Sequence, residues 1–199
     1  MYLFLDTETT GFPNLNLSPR DPKQGRVCQI AFILADENNR NIAEFSSLVA
    51  PDGWKIQIGA QNVHGLSDDL CEKYGVKSRT AFQLFQRLAD KVDIVVAHNL
   101  DFDMKMLEVE AAAHSLEMPV FKERHCTMKA ATPLCKLPKA RGSGYKWPKL
   151  SEALPMLCGR ELGDDAHDAM VDTRGCKDLF FELRNRGLFQ DTQPLELQI

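Results

Sequence analysis

The chain has 199 residues, 44% of them hydrophobic, so it is long enough for one domain with a substantial core. Its 24 basic and 28 acidic side chains give a formal net charge of −4, and no overall positive charge indicates a nucleic-acid ligand. The six cysteines form no Cys-x-x-Cys pair, which argues against a zinc site or a disulfide framework. No apolar run reaches the length of a membrane span, and the first residues lack a basic leader. We therefore expect a soluble, cytoplasmic protein without a signal peptide or a membrane partner.

The first predicted strand ends in two acidic residues. Residues 2–5 are a short apolar run typical of a buried strand, and Asp6 and Glu8 follow it. Because side chains two positions apart on a strand point to the same face, we expect both carboxylates to project together. Gly11 then allows a tight loop whose backbone can approach a ligand. Two carboxylates on one face repel each other unless a cation neutralises them, and hard oxygen ligands suit Mg²⁺ or Mn²⁺. A strand that simply ends in solvated acids is the alternative.

The next two predicted strands complete a three-stranded meander. Residues 26–36 and 41–50 are rich in apolar and β-branched side chains and are separated by a polar turn, which indicates a hairpin. Residues 51–75 have no regular pattern, although Ser67 is a good N-cap for a short helix.

A helix, a buried strand and a second helix come next. Residues 78–92 have an amphipathic helical pattern, and residues 93–97 form a fully apolar strand. Polar residues 98–103 follow this strand, at the edge where α/β sheets tend to build sites. Asp101 and Asp103 both compete for a functional role there, and the alternative for either is helix capping or a dipole interaction.

Residues 121–150 are the basic part of the chain. Five cationic side chains and no acid lie within residues 136–149, together with Tyr145 and Trp147 and a flexible Gly-Ser-Gly turn. This composition suits phosphate contacts and base stacking, and a solvated mobile loop is the alternative. Residues 150–159 predict a short helix, in which Pro155 removes a backbone hydrogen bond.

The last predicted helix begins near Asp164 and Asp165, which are good capping residues, and ends near residue 186. His167 and Asp172 lie near its start, about 140° apart around an ideal helix. The two side chains share a site only if His167 lies in a frayed first turn or just before the helix. We expect residues 190–199, which have no strong pattern, to form a C-terminal tail.

Three motifs in this order resemble the DEDDh family of 3′–5′ exonucleases, which contains polymerase proofreading subunits. They are residues 5–11 (Leu-Asp-Thr-Glu-Thr-Thr-Gly), residues 97–103 (Ala-His-Asn-Leu-Asp-Phe-Asp) and residues 167–172 (His-Asp-Ala-Met-Val-Asp). Residues 63–67 also resemble the family segment that lines the pocket for the terminal nucleotide. The resemblance extends from Leu3 to about Leu183. It implies one exonuclease domain over residues 1–189 with a ribonuclease H-like α/β fold, a mixed five-stranded sheet flanked by helices.

The resemblance also implies the activity and the roles of the site residues. The family's Phe-Asp pair points to Asp103 and not Asp101, and the histidine of the third motif places the chain in the h branch. Two Mg²⁺ or Mn²⁺ ions would then support phosphodiester hydrolysis from the 3′ end, releasing nucleoside 5′-monophosphates, with DNA slightly favoured. Asp6 would bridge both ions, Glu8 and Asp172 would hold the ion that carries the water, and Asp103 would hold the other. His167 would be the general base, since an unperturbed histidine accepts protons near neutral pH.

The expected partner is nucleic acid with a free 3′ end, in single-stranded form. By resemblance, the terminal 3′-hydroxyl would meet backbone groups of Thr9, Thr10 and Gly11, and the last nucleotides would meet His64, Asn99 and Phe102. Whether a polymerase partner is involved stays open, although no segment resembles a polymerase-docking tail.

Three alternatives compete with this interpretation. The residues alone indicate only a divalent-metal phosphoesterase on an α/β scaffold, and the exonuclease polarity comes from the resemblance. A nonenzymatic nucleic-acid-binding module would keep the fold but could lose any of the five site residues. That module is the first alternative. The second is an RNA-directed exonuclease, and the third is a metal-dependent phosphatase of small nucleotides.

Overall fold

The structure, a computed structural model, describes residues 1–163 and 167–189. Within these residues the strands and helices, in chain order, are β1 (Tyr2–Thr9), β2 (Val27–Ala35), β3 (Asn41–Ala50), α1 (Ile58–His64), α2 (Asp68–Tyr74), β4 (Val76–Lys77), α3 (Ser78–Ala89), β5 (Ile94–Ala97), α4 (Leu100–Ala113), β6 (Glu123–Cys126), α5 (Thr127–Cys135), α6 (Leu150–Cys158) and α7 (Ala169–Asn185). None of the helices in the described part of the chain is long and apolar enough to cross a membrane.

The strands form a mixed sheet in the order β4-β3-β2-β1-β5-β6. Strands β1, β2 and β3 are the predicted antiparallel meander, and β5 and β6 extend it in parallel on the other side of β1. The predicted mixed sheet with flanking helices is therefore confirmed. The sheet has one strand more than expected, because the two-residue β4 pairs in parallel with the end of β3.

Strand β1 is covered by helices on both faces, and its side chains alternate between them. Leu3 and Leu5 pack in the core formed with helices α3 and α4. Tyr2 and Phe4 pack on the opposite face beneath α7, where the ring centroid of Phe4 lies 5.4 Å from that of Phe180. The alternation continues past the apolar run, so Asp6 and Glu8 leave the strand on the α7 face.

Several short elements differ from the sequence prediction. The segment 51–75, which was expected to be irregular, contains α1 as well as the predicted short helix α2, whose N-cap Ser67 accepts a hydrogen bond from the backbone N–H of Leu70 at 3.2 Å. The segment 121–150 contains β6 and α5, which its basic composition concealed. Pro155 lies inside α6.

The start of the last helix was predicted wrongly. Helix α7 begins at Ala169 with Asp168 as its N-cap, whereas the expected caps Asp164 and Asp165 lie outside the described residues. The predicted tail, residues 190–199, also lies outside them.

Helix α4 is held against the sheet by a buried acid, Glu110. Its carboxylate accepts hydrogen bonds from Arg26 Nε at 2.8 Å, from the Val27 backbone N–H at 2.9 Å and from the Ser78 hydroxyl. These contacts connect α4 with the start of β2 and the start of α3. Asp103 lies two turns earlier on the same face of α4, so the Glu110 contacts also fix the position of that carboxylate.

Replacing Glu110 with alanine should lower the free energy of unfolding by about 3–5 kcal/mol, because Arg26 would lose its buried counter-charge. Urea unfolding measures the change. Asp101→Asn is the matched control on the same helix: its partner Lys129 is exposed, and we expect little change. Equal stability of the Glu110 variant and wild type would contradict the anchoring role.

Candidate active site

Strand β1 supplies the first two carboxylates of the site. Asp6 lies opposite Ala31 and Glu8 opposite Gln29 in the antiparallel ladder with β2. The register shifts after Glu8, and the ladder ends at Thr9. Glu8 is 9% exposed, so its carboxylate is largely removed from bulk water.

The third carboxylate comes from the first turn of α4. Because β5 runs parallel to β1, the helix that follows β5 begins at the same end of the sheet as Asp6 and Glu8. Asp103 is buried, and its Oδ1 accepts hydrogen bonds from the backbone N–H and the hydroxyl of Thr7 at 3.1 and 2.9 Å. Asp101, by contrast, is exposed and pairs with Lys129. Of the two aspartates, only Asp103 lines a cavity with Asp6 and Glu8.

The remaining two side chains, those of His167 and Asp172, come from the start of α7, and the position of that start is set by its cap residue Asp168. The Oδ1 of Asp168 accepts hydrogen bonds from the backbone N–H groups of Met170 and Val171, and its Oδ2 accepts one from Gln29 Nε2 at 2.8 Å. The Ala169 N–H donates to Gln29 Oε1 at 3.1 Å, so β2 sets where the helix begins.

His167 precedes the helix and has a φ of +72°, in the left-handed region. That conformation costs a residue with a side chain about 1 kcal/mol and places His167 outside the helical geometry. The condition under which His167 and Asp172 share a site is therefore met. Ligand atoms of Glu8, His167 and Asp172 lie within 4.8 Å of one another.

The site is suited to a cation. Asp172 Oδ1 is buried and has no hydrogen-bond partner within the described residues. A buried carboxylate oxygen without a partner is costly, and a positive ion would remove that cost. The neighbouring donors are hard carboxylate oxygens and one imidazole, a set that divalent cations accept. The residues present therefore fit a divalent metal.

Burial raises the pKa values of all four carboxylates, and the charges of neighbouring acids add to each shift. Burial first, and then Asp103, Asp172 and Glu8, raise the pKa of Asp6 well above its usual value. Burial and the Asp172 charge raise the pKa of Glu8 to about 8, and burial raises the pKa of Asp103 to about 7 against the opposing hydrogen bonds from Thr7. The pKa of Asp172 is also raised by burial, and His167 opposes that shift. Without a cation, the cluster therefore retains protons near neutral pH.

A groove of three adjoining cavities, about 270, 290 and 450 Å³, passes these carboxylates. Of the residues predicted to contact substrate, Thr9, Gly11 and His64 line the smallest cavity, Phe102 lines the two smaller ones, and Asn99 lines the two larger ones. Thr10 lines none of them. Its backbone N–H donates to Arg26 O at 2.8 Å and its carbonyl accepts from the Gln57 N–H at 2.9 Å, so both groups are engaged within the protein.

His64 uses both ring nitrogens within the protein. Its Nδ1 accepts from the Leu66 backbone N–H at 3.0 Å, and its Nε2 donates to the Thr9 carbonyl at 3.2 Å. Burial lowers the pKa of His64, which agrees with a neutral ring that donates from one nitrogen and accepts at the other. The imidazole therefore attaches the end of α1 to the end of β1, at the wall of the smallest cavity.

The structure adds three residues that sequence reasoning missed. Phe12 is 84% exposed, lines all three cavities and meets Phe102 edge-on at 6.0 Å. Its position directly after the first motif was the available signal. For His98 the signal was its place in the second motif, whereas Gln29 gave none, because its partners are far away in the chain. His98 Nε2 donates to the Pro148 carbonyl at 3.0 Å, and burial lowers its pKa to about 4.

A family model described as an exonuclease, RNase_T, matches residues 3–180. A zinc-bound complex of E. coli exonuclease I with single-stranded DNA superposes with a TM-score of 0.73 at 18% identity, covering 93% of this chain and 40% of that one. The E. coli enzyme with a dT13 oligonucleotide gives 0.73 at 19% identity, with coverages of 94% and 42%. A moderately thermophilic exonuclease I from Methylocaldum szegediense gives 0.67 at 17% identity, with coverages of 93% and 40%. No curated protein matches the chain.

These structural likenesses confirm the fold, and the chain spans about two fifths of the length of the solved structures it matches. The family model covers most of the chain and includes all five acidic and histidine residues of the site. The chain therefore belongs to the exonuclease family, of the DEDD type that its motifs predicted.

Proposed function

We propose that this protein is a metal-dependent 3′–5′ exonuclease that releases nucleoside 5′-monophosphates from the 3′ end of a single strand, with DNA slightly favoured. The observation that carries the proposal is the convergence of four carboxylates and an exposed histidine on one groove. Membership in the exonuclease family supports it. The preference for DNA rests on the similar structures of E. coli exonuclease I, which contain dA16 and dT13 oligonucleotides.

Two Mg²⁺ or Mn²⁺ ions are the proposed cofactors. Asp6 would contact both ions, Glu8 and Asp172 would hold one, and Asp103 would hold the other. When bound, such ions lower the pKa of water and neutralise charge on the phosphate oxygens. The unpartnered Asp172 Oδ1 supports this assignment, as does the crowding of four carboxylates whose pKa values are raised.

His167 is the proposed general base, which places the protein in the h branch of the family. Its side chain is exposed at the groove, next to Glu8 and Asp172, and it lies before the rigid first turn of α7. The neighbouring carboxylates would stabilise the positive charge that the ring gains on accepting a proton from water. The ring would then return the proton to solvent.

The smallest cavity of the groove is the proposed place of the terminal nucleotide. Helix α1 borders it on one side, and Phe12 and Phe102 border it on the other. Aromatic faces there suit stacking with a base, and the backbone of Thr9 and Gly11 lies where a 3′-hydroxyl could hydrogen-bond.

Asp6→Asn should abolish hydrolysis, because it removes a carboxylate that would hold the metal ions. The assay is a time course on 5′-labelled single-stranded DNA and RNA of one sequence, in Mg²⁺, Mn²⁺ or EDTA. Wild type should give a metal-dependent ladder that shortens from the 3′ end. The variant should be inactive yet at least as stable as wild type without metal, since one buried like charge is removed. A variant with wild-type turnover would refute the site assignment.

His167→Ala should lower the rate of hydrolysis roughly 10²–10⁴-fold while metal affinity stays nearly unchanged. Single-turnover rates on the same labelled strand measure the first quantity, and calorimetric titration with Mn²⁺ measures the second. His64→Ala is the comparison variant. Both nitrogens of the His64 ring are engaged with the backbone, so this change removes a histidine without removing a free proton acceptor. If the His167 variant keeps the wild-type rate near neutral pH, His167 has no part in proton transfer.

Without metal, the free energy of unfolding should fall as the pH rises from about 5 to about 8 and should level off above that. The folded-state pKa values of Glu8 and Asp103, about 8 and about 7, lie above those of an unfolded chain. Between the unfolded and the folded pKa values the folded state binds more protons than the unfolded chain, so stability falls with rising pH until both groups have ionised in the folded state. Urea unfolding in EDTA should show the decline, and it should be smaller in Glu8→Gln and in Mg²⁺. A wild-type profile identical to that of Glu8→Gln would contradict the charge crowding.

A further inference from the structure

Residues 136–149, here called the basic hairpin, connect α5 with α6. Pro138 and Tyr145 face each other in an isolated antiparallel bridge, and the Lys146 N–H donates to the Leu137 carbonyl at 2.8 Å. The Gly-Ser-Gly sequence therefore forms the turn of a paired hairpin. A paired hairpin can present side chains at defined positions, as a binding surface requires.

The base of the hairpin is attached to the active site. The half-buried ring of His98 donates a hydrogen bond to the Pro148 carbonyl, and His98 itself lines the two larger cavities with Asp6 and Asp172. Pro148 and Lys149 line the largest cavity of the groove. The C-terminal end of the hairpin therefore borders the groove that contains the carboxylates.

Two aromatic side chains of the hairpin lie on the surface. Trp147 is 63% exposed and Tyr145 is 45% exposed. Exposed aromatic rings beside a site for nucleic acid are typical stacking platforms, because every base has a face that can stack.

The hairpin is also positively charged in an acidic protein. Lys146 pairs with Glu152, but within the described residues the other four hairpin cations have no ion pair; these are Lys136, Lys139, Arg141 and Lys149. A strand that enters the groove beside them carries one negative charge on each phosphate, and unpaired cations next to the groove can contact those phosphates.

We propose that the basic hairpin binds the single strand upstream of the 3′-terminal nucleotide. Bases of that strand stack on Tyr145 and Trp147, and its phosphates contact the unpaired cations. The inference rests on the proposed exonuclease function and extends it, because it assigns a second contact region to the substrate. A strand that contacts the hairpin with its upstream nucleotides would enter the groove with its 3′ end at the carboxylates.

Binding tests the hairpin without catalysis. The inactive Asp6→Asn protein is titrated into a fluorescein-labelled dT20 strand, and anisotropy gives the affinity. Adding Trp147→Ala should weaken binding roughly ten-fold, as expected for one lost stacking contact. Adding Lys139→Ala and Arg141→Ala should reduce the slope of log affinity against log salt by about 0.7 for each lost phosphate contact.

Two matched controls distinguish this from a general surface effect. Tyr74 is 62% exposed, nearly as much as Trp147, and lines none of the groove cavities, so Tyr74→Ala should leave the affinity unchanged. Lys91 is an exposed cation just before β5, at the end of that strand opposite the site, and Lys91→Ala should leave the salt slope unchanged. If the hairpin variants bind dT20 as tightly as their parent, the hairpin is a solvated loop and the inference is wrong.

Catalysis on two substrates separates the inference from the proposed function. With the active protein, Trp147→Ala should raise KM for dT20 but leave hydrolysis of thymidine 5′-monophosphate p-nitrophenyl ester unchanged, since that ester is too short to reach the hairpin. Equal loss on both substrates would contradict the inference. If wild type degrades no strand in Mg²⁺ or Mn²⁺, the exonuclease proposal fails, whereas the binding titration still reports on the hairpin.

Discussion

The structure depends on holding four like-charged carboxylates together at one end of the central strand. Burial and the charges of neighbouring acids raise the pKa of each of them, so bound protons or a cation would relieve the repulsion. Three separate elements supply these groups: β1, the first turn of α4 and the first turn of α7. The sheet order places all three at one edge, since β5 runs parallel to β1 and α7 crosses the face that Asp6 and Glu8 share.

Polar contacts outside the cluster keep these elements in position. Thr7 holds Asp103 with two hydrogen bonds, and Glu110 fixes the same helix further along. Gln29 on β2 sets the start of α7 through Asp168, and this in turn places His167 and Asp172. In each case an amide, a hydroxyl or a second carboxylate of the surrounding structure orients a group of the site. The fold thus offsets the cost of gathering like charges with neutral or paired contacts next to them.

A site made of carboxylates faces a difficulty when its substrate is a polyanion. Divalent ions at the cluster would reverse the local charge, and the basic hairpin lies where the groove opens. The chain as a whole is acidic, with a formal net charge of −4, so attraction for a strand has to be local. The positions of the charges, with acids at the reacting end of the groove and cations beside it, therefore indicate a nucleic-acid ligand better than the net charge does.

The sequence alone determined the meander, the long helices and the shared face of Asp6 and Glu8, because strand and helix periodicities are local properties. It also supplied the three motifs, and through them the family. The tertiary structure decided the rest. Helix α1 and strand β6 contain no fully buried residues, so neither has an apolar pattern strong enough to detect. Asp168 caps α7 and is bound by Gln29, 139 residues earlier in the chain, a contact that no local pattern reveals. Phe12 and His98 gained their places in the groove in the same way, from contacts that form only when distant segments meet.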